Sequence, residues 1–192
     1  MADFIQECFR DEVSRSQLNY KVSNRIVLAT SKLDGTEQGR HPDVSVVDLD
    51  QWRSNRLAYT ALREPIQLVV EVVSTNWEDD YIDKLDEYQR LGIREYWIVD
   101  DLAVGRRELL GNPKRPSVFV YQLDQNGEYQ VNRFQGSEQI VSPTFPTLSL
   151  TIEQITGFRE RAVNPFPNWC LTNTIHLVIP ATSCLYTMAY TL

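Results

Sequence analysis

The sequence is poor in the residues that covalent or transition-metal frameworks need. Its three cysteines, Cys8, Cys170 and Cys184, are odd in number, and none belongs to a C-x-x-C pair. Its two histidines, His41 and His176, stand far apart. Both facts argue against a zinc site, and idle thiols fit a reducing cytosol. Positive charge is also scarce: 19 Lys and Arg face 26 Asp and Glu, for a net charge of −7. That argues against coating nucleic acid by bulk charge, while leaving local basic patches open. The N-terminus, MADFIQECFRDE, has no apolar stretch and is not a secretory signal. No internal repeat is visible. The eight glycines and nine prolines follow no period, which excludes collagen and low-complexity chains.

One further absence is local. From Ala162 to Leu192 there is no Asp, Glu, Lys or Arg. The stretch is apolar enough to raise a membrane span. Asn173, His176, Pro180 and several threonines interrupt it, and no basic residue flanks it. An atypical tail outside the fold, such as a frameshifted gene end, is the expectation, with the folded domain at 1–161 and the tail at 162–192. No obligate membrane contact is expected, and the location expected is the cytoplasm. The rest is 192 residues at 42% hydrophobic and 10% aromatic content, too apolar for a disordered chain and long enough for a sizeable core.

Phe4, Ile5, Cys8, Phe9 and Val13 mark one stripe of a helix over Asp3 to about Leu18. YKVSNRIVLAT reads as one or two strands, Ser31 to Arg40 as a polar loop, and VSVVDL as a strand. Gln51 to Arg63 reads as a loop or short helix. IQLVVEVV, Ile66 to Val73, is almost wholly apolar, as in a strand buried on both faces. Thr75 and Glu78 have capping-box spacing, and a helix is predicted from about Asn76 to Leu91, stopping at Gly92. YWIVD is the next strand. Val118–Leu123 and Tyr129–Phe134 flank Asp124-Gln125-Asn126-Gly127 as a hairpin, and SPTFPTLSLTIEQI suggests an extended segment and a short helix. A buried strand, a helix and another buried strand make one parallel crossover in a mixed α/β sheet.

Glu71 interrupts the apolar run of the central strand. A buried carboxylate costs several kcal/mol unless it is paired, protonated or metal-bound. Asp43, after Pro42, stands at the mouth of another strand, where an ordinary turn residue is the simpler reading. On the long helix Trp77, Tyr81, Leu85, Tyr88 and Leu91 share one face, and Asp79, Asp83, Asp86 and Arg90 the solvated one. Lys84 falls within the apolar face, so it either snorkels at the edge or needs an anion, and Glu71 on the preceding strand is available. Asp, Glu and Lys converging on one sheet can hold a hard divalent ion and stabilise charge growing on a phosphate. Arg90, Arg94, Arg106, Arg107, Lys114 and Arg115 cluster in sequence and could line a DNA groove or form a solvated surface.

Pro42-Asp43 and Glu71-Val72-Val73 resemble the PD-(D/E)xK nuclease superfamily. HPDVSVVD, LVVEVVS, DYIDKLDEYQRLGIREYWIVD and SPTFPTLSLT resemble, more finely, the bacterial Uma-two family of restriction-endonuclease-like proteins, over about Asp3 to Gly157. The resemblance implies a restriction-endonuclease-like mixed central sheet flanked by helices, with a C-terminal hairpin. It implies Asp43 and Glu71 as ligands of Mg²⁺ or Mn²⁺. The motif lysine would fall at Val73, and the family places a lysine on the following helix instead, here Lys84, supported by Asp80. A further acid on the first helix, Glu12 or Glu7, often completes such a site. Tyr88 and Tyr96 are read as packing residues. The family's N-terminal hairpin precedes the first helix, and this chain begins at that helix, so a truncated remnant is one expectation. The function expected is a metal-dependent DNA endonuclease, with DNA as partner and a homodimer allowed. The alternative is a decayed or non-catalytic nuclease fold that binds a partner without cleavage.

Overall fold

The computed structural model describes residues 1–54 and 61–163. The uncharged tail beyond Val163, with Cys170, His176 and Cys184, lies outside the described residues, as do residues 55–60 of the segment read as a loop or short helix. In chain order the elements are α1 (Ala2–Arg15), β1 (Tyr20–Ser23), β2 (Leu28–Ser31), β3 (Glu37–Arg40), β4 (Val44–Asp48), α2 (Leu49–Ser54) and β5 (Leu68–Val72). A π-helical turn (Asp79–Asp83) then leads into α3 (Lys84–Leu91). It is followed by β6 (Glu95–Asp100), α4 (Arg107–Leu110), β7 (Ser117–Leu123), β8 (Tyr129–Gln135) and α5 (Ile152–Val163).

Six strands form one mixed sheet in the order β1-β4-β5-β6-β7-β8. Only β5 and β6 run parallel, joined by the helical crossover, and the other neighbours are antiparallel. Alternation along the strands divides the core. Val44, Val46, Leu68, Val70, Trp97 and Val99 face one side, under Ile5 and Phe9 of α1 and Ile152 and Ile155 of α5. Val47, Val69, Val73, Tyr96 and Ile98 face the other, under Tyr81 and Tyr88. Glu71 shares the parity of Val69 and Val73, so its side chain enters the layer beneath α3.

Two local expectations are corrected. Ser31 to Arg40 is not all loop: β3 pairs with β2 as a separate hairpin, its residues alternating between exposed and half-buried. A polar strand of that kind carries no hydrophobic period to read. The long helix is not uniform either. Lys84 N bonds to Asp79 O, a five-residue step that inserts one residue into the helical winding. Its first turn carries no side-chain cap hydrogen bond, so the Thr75–Glu78 capping box is not used there. The predicted stop holds: Gly92 takes φ 84° and ψ 27°, and its N–H bonds to Tyr88 O and Gln89 O. A Cβ is disfavoured in that left-handed conformation, which suits glycine.

Candidate functional site

Asp43 and Glu71 come from neighbouring antiparallel strands. Val44 pairs with Val70, so Asp43 lies one step further along, opposite Glu71. Asp43 Oδ2 accepts the Val72 N–H at 2.7 Å, which fixes its carboxyl against β5. Glu71 is 3% exposed, and both its oxygens are engaged. Tyr88 donates its hydroxyl to Oε1 at 2.7 Å, and Lys84 Nζ stands 3.0 Å from Oε2. Lys84 also donates to Asp80 Oδ1 at 2.7 Å and lies 3.6 Å from Asp79 Oδ2. The π turn brings Asp79, Asp80 and the start of α3 to this point, over the end of β5. Tyr96 supports it from below, donating to the Asp80 carbonyl at 2.9 Å.

Electrostatics follow from this packing. Burial pushes the Glu71 carboxyl up to about 7, against the pull of Lys84 and Tyr88, and Asp43 pushes it the same way. Burial also raises Asp80, with Lys84 opposing and Asp79 and Asp43 reinforcing. Burial alone would lower Lys84, but Glu71 and Asp80 outweigh it and hold the ammonium above its ordinary value. Burial and the Glu71 charge keep the Tyr88 phenol protonated, as a fixed donor. The cluster is therefore one permanent cation among carboxylates that repel one another.

A second cation closes the rim. Arg40 makes a two-point contact with Glu87, Nε to Oε2 at 2.8 Å and Nη2 to Oε1 at 2.7 Å. Its Nη1 reaches Asp79 Oδ1 at 3.0 Å. Thr30 and Gln38 also donate to Glu87, each at 2.6 Å. Burial pushes Glu87 up, but Arg40, Thr30 and Gln38 outweigh it and pull the carboxyl down to about 2. Arg40 thus ties the β2–β3 hairpin to the π turn and holds Asp79 beside Lys84. The sequence offered no signal for it, because it lies in the stretch read as loop. Asp79, read as solvated, is drawn inward by the same contact.

The structure brings Asp43, Glu71, Asp80 and Lys84 together and leaves Glu12 out. Glu12 sits on α1, which covers the other face of the sheet. Its carboxyl accepts from Ser16 at 2.7 Å and Thr147 at 2.5 Å and pairs with Arg15. Glu7, the other α1 candidate, is exposed and pairs with Arg10. Tyr88, read as packing, packs edge-on against Tyr96 and also bonds directly to Glu71. The sequence-adjacent basic residues do not form one patch. Arg90 pairs with Asp86, and Arg94 precedes β6 at the end away from Glu71, while Arg106, Arg107, Lys114 and Arg115 follow β6 at the Glu71 end.

Among the described residues no three His, Cys, Asp or Glu side chains form a ready ligand set. Asp43 and Glu71 nevertheless suit a hard ion that keeps most of its waters and needs only one or two protein carboxylates. Asp43 Oδ1 makes no hydrogen bond to a described residue, and Asp43, Glu71, Asp79 and Asp80 outnumber Lys84 and the shared Arg40 in charge. No helix among the described residues is long and apolar enough to cross a membrane. In comparisons with known proteins, the Uma2 family model, described as putative restriction endonuclease, matches residues 3–153. No curated protein matches the chain.

Proposed function

The chain belongs to the Uma2 family, over residues 3–153, and from that membership and the site we propose a metal-dependent endonuclease that hydrolyses DNA phosphodiester bonds. The observation that carries the reading is the Lys84 ammonium seated 3.0 Å from Glu71 and 2.7 Å from Asp80, with Asp43 on the adjoining strand. A half-buried cation held among acids at a strand end contributes little to stability. It is suited to stabilising charge that develops during phosphoryl transfer.

Asp43 and Glu71 would hold Mg²⁺ or Mn²⁺. When bound, such an ion polarises the phosphate and makes a water more acidic. Lys84 keeps its proton and offers its N–H groups to a phosphate oxygen. Asp80, one turn earlier, orients that ammonium. Tyr88 fixes the rotation of the Glu71 carboxyl, and the Val72 N–H fixes that of Asp43. The reading places the protein in the cytoplasm with DNA as its partner.

One observation favours the second reading, a binding module without cleavage: Lys84 is already satisfied by carboxylates, so the cluster is closed on itself. The test is incubation of supercoiled plasmid, linear duplex and single-stranded DNA with purified protein in Mg²⁺ and in Mn²⁺. The nuclease reading expects cleavage by the wild type, abolished by EDTA and by a Lys84→Ala variant that stays folded. Absence of both cleavage and metal binding in the wild type would overturn the nuclease reading and leave the non-catalytic one.

A further inference from the structure

The segment between β6 and β7 has a composition unlike the rest of this acidic chain. Residues 101–116 carry Arg106, Arg107, Lys114 and Arg115 against two acids, Glu108 and the buried Asp101. All four cations are exposed, and none has a carboxylate partner among the described residues. Elsewhere among the described residues Arg10, Arg15, Arg40, Arg53, Arg63, Lys84 and Arg90 are each paired with an acid, while the cations without one, Lys21, Arg25, Lys32, Arg94 and Arg133, are scattered along the chain instead of gathered in one segment. A chain with surplus acid that leaves four neighbouring cations unpaired keeps their charge available to an external anion.

The segment is also pinned to the π turn that carries Asp79 and Asp80. Asp100, wholly buried at the end of β6, accepts the N–H groups of Val104 and Gly105, each at 2.9 Å, and the Tyr81 hydroxyl at 3.2 Å. A Cβ at Gly105 would lie 2.9 Å from Asp100 Oδ2 and 3.1 Å from the Tyr81 ring, so the backbone can approach this closely only without one. The Arg106 guanidinium then stacks 5.1 Å over the Trp77 ring, at the start of the crossover helix. Stacking holds the planar group while leaving its N–H edge open, the arrangement that suits a phosphate. Lys114 folds one N–H back to the Val104 carbonyl at 3.3 Å and keeps the others free.

We propose that residues 102–116 form the nucleic-acid docking edge of this protein, with Arg106 on Trp77 as its fixed anchor and Arg107, Lys114 and Arg115 gripping neighbouring backbone phosphates. The proposal rests on the nuclease reading for its substrate and specifies where the strand lies: it enters along the end of β6 and the start of β7 and reaches the Asp43–Glu71–Lys84 cluster across the π turn. The contacts are to phosphates, so they position DNA without reading its sequence.

The test is fluorescence-anisotropy binding of the full chain to a labelled duplex and a labelled single strand in EDTA, across a salt series. Replacing Arg106, Arg107, Lys114 and Arg115 together by Gln is expected to weaken duplex binding roughly tenfold or more. The slope of log affinity against log salt should fall by roughly 0.9 for each phosphate that the variant no longer neutralises. An Arg90→Gln, Arg94→Gln variant, altered away from the Glu71 end, should bind as the wild type does. Lysine in place of Arg107 and Arg115, with the stacked Arg106 kept, should retain most of the affinity, which separates charge from misfolding. Equal binding and equal slope in the Gln variant would overturn the proposal. So would wild-type affinity for phosphatidylserine vesicles with none for DNA, which would make the edge a membrane contact. DNA binding that depends on these residues without cleavage in any divalent metal would retire the nuclease reading alone. Cleavage of long duplex unchanged by the Gln variant would retire the docking edge alone.

Discussion

Replacing Arg40 by Met should expose how strongly the rim of the site depends on one guanidinium. Arg40 makes two hydrogen bonds of 2.7 and 2.8 Å to Glu87, which is 4% exposed, and a third contact to Asp79. Removing one partner of a buried pair costs about 3–5 kcal/mol, because the other charge is left uncompensated. Here Thr30 and Gln38 still donate to Glu87, and Arg40 itself keeps 17% of its side-chain surface in water. The expected loss at pH 7 is therefore at the low end, about 3 kcal/mol. The pH dependence has a definite sign. Glu87 is held down to about 2, so its stabilisation is complete above its unfolded value near 4.5 and is lost as the pH falls through about 2. In the variant Glu87 loses its strongest partner, takes up a proton more readily and stops being a liability in acid. The difference between wild type and variant should shrink to about 1 kcal/mol at pH 3. Urea unfolding at pH 7 and pH 3, with the slope against denaturant unchanged, measures both values. Adding Glu87→Gln to Arg40→Met should recover at least about 1.5 kcal/mol of the loss at pH 7. A cost of less than about 0.5 kcal/mol for Arg40→Met, with no coupling to Glu87, would show that the guanidinium does not hold the rim.

Two smaller perturbations probe the supports of the site. Tyr88→Phe keeps the ring contact with Tyr96 and removes the hydroxyl that donates to Glu71 Oε1; it should lower unfolding stability by about 1–2 kcal/mol at pH 8, and no change would mean the hydrogen bond is not structural. Gly105→Ala sets a methyl 2.9 Å from Asp100 Oδ2 and should cost about 1–3 kcal/mol, seen as a lower Tm by differential scanning fluorimetry; an unchanged Tm would show that the loop yields without loosening its hold on Asp100.

The parts of the fold legible in the sequence are those with a strong hydrophobic period. The apolar run around Glu71, the amphipathic stretch from Trp77 and the YWIVD run define β5, the crossover and β6, and their parallel pairing follows from the length of helix between them. The proximity of Lys84 and Glu71 is also legible, because a cation inside an apolar stripe demands an anion and the preceding strand supplies one. What was hidden has identifiable causes. β3 is polar on both faces, so no alternation marks it, and Arg40 goes unnoticed with it. A single inserted residue in the π turn leaves the spacing of Tyr81 and Tyr88 nearly intact while turning Asp79 toward Arg40 and Lys84. Glu12 was eligible as a ligand by sequence, but its Thr147 partner is 135 positions away, and no local pattern announces such a contact. The basic residues 90–115 look like one cluster along the chain because sequence order conceals that β6 carries them to opposite ends of the sheet.

The proposed chemistry requires that Asp43 and Glu71 share one hard cation beside the Lys84 ammonium. A crystal of the wild type soaked in Mn²⁺ reads this out through the anomalous signal of the metal. A single strong peak is expected at ordinary coordination distance, roughly 2.0–2.3 Å, from one oxygen each of Asp43 and Glu71, with Lys84 Nζ nearby but not bound to it. Mn²⁺ bound only elsewhere, or an unaltered Lys84–Glu71 pair with no peak at millimolar metal, would contradict it.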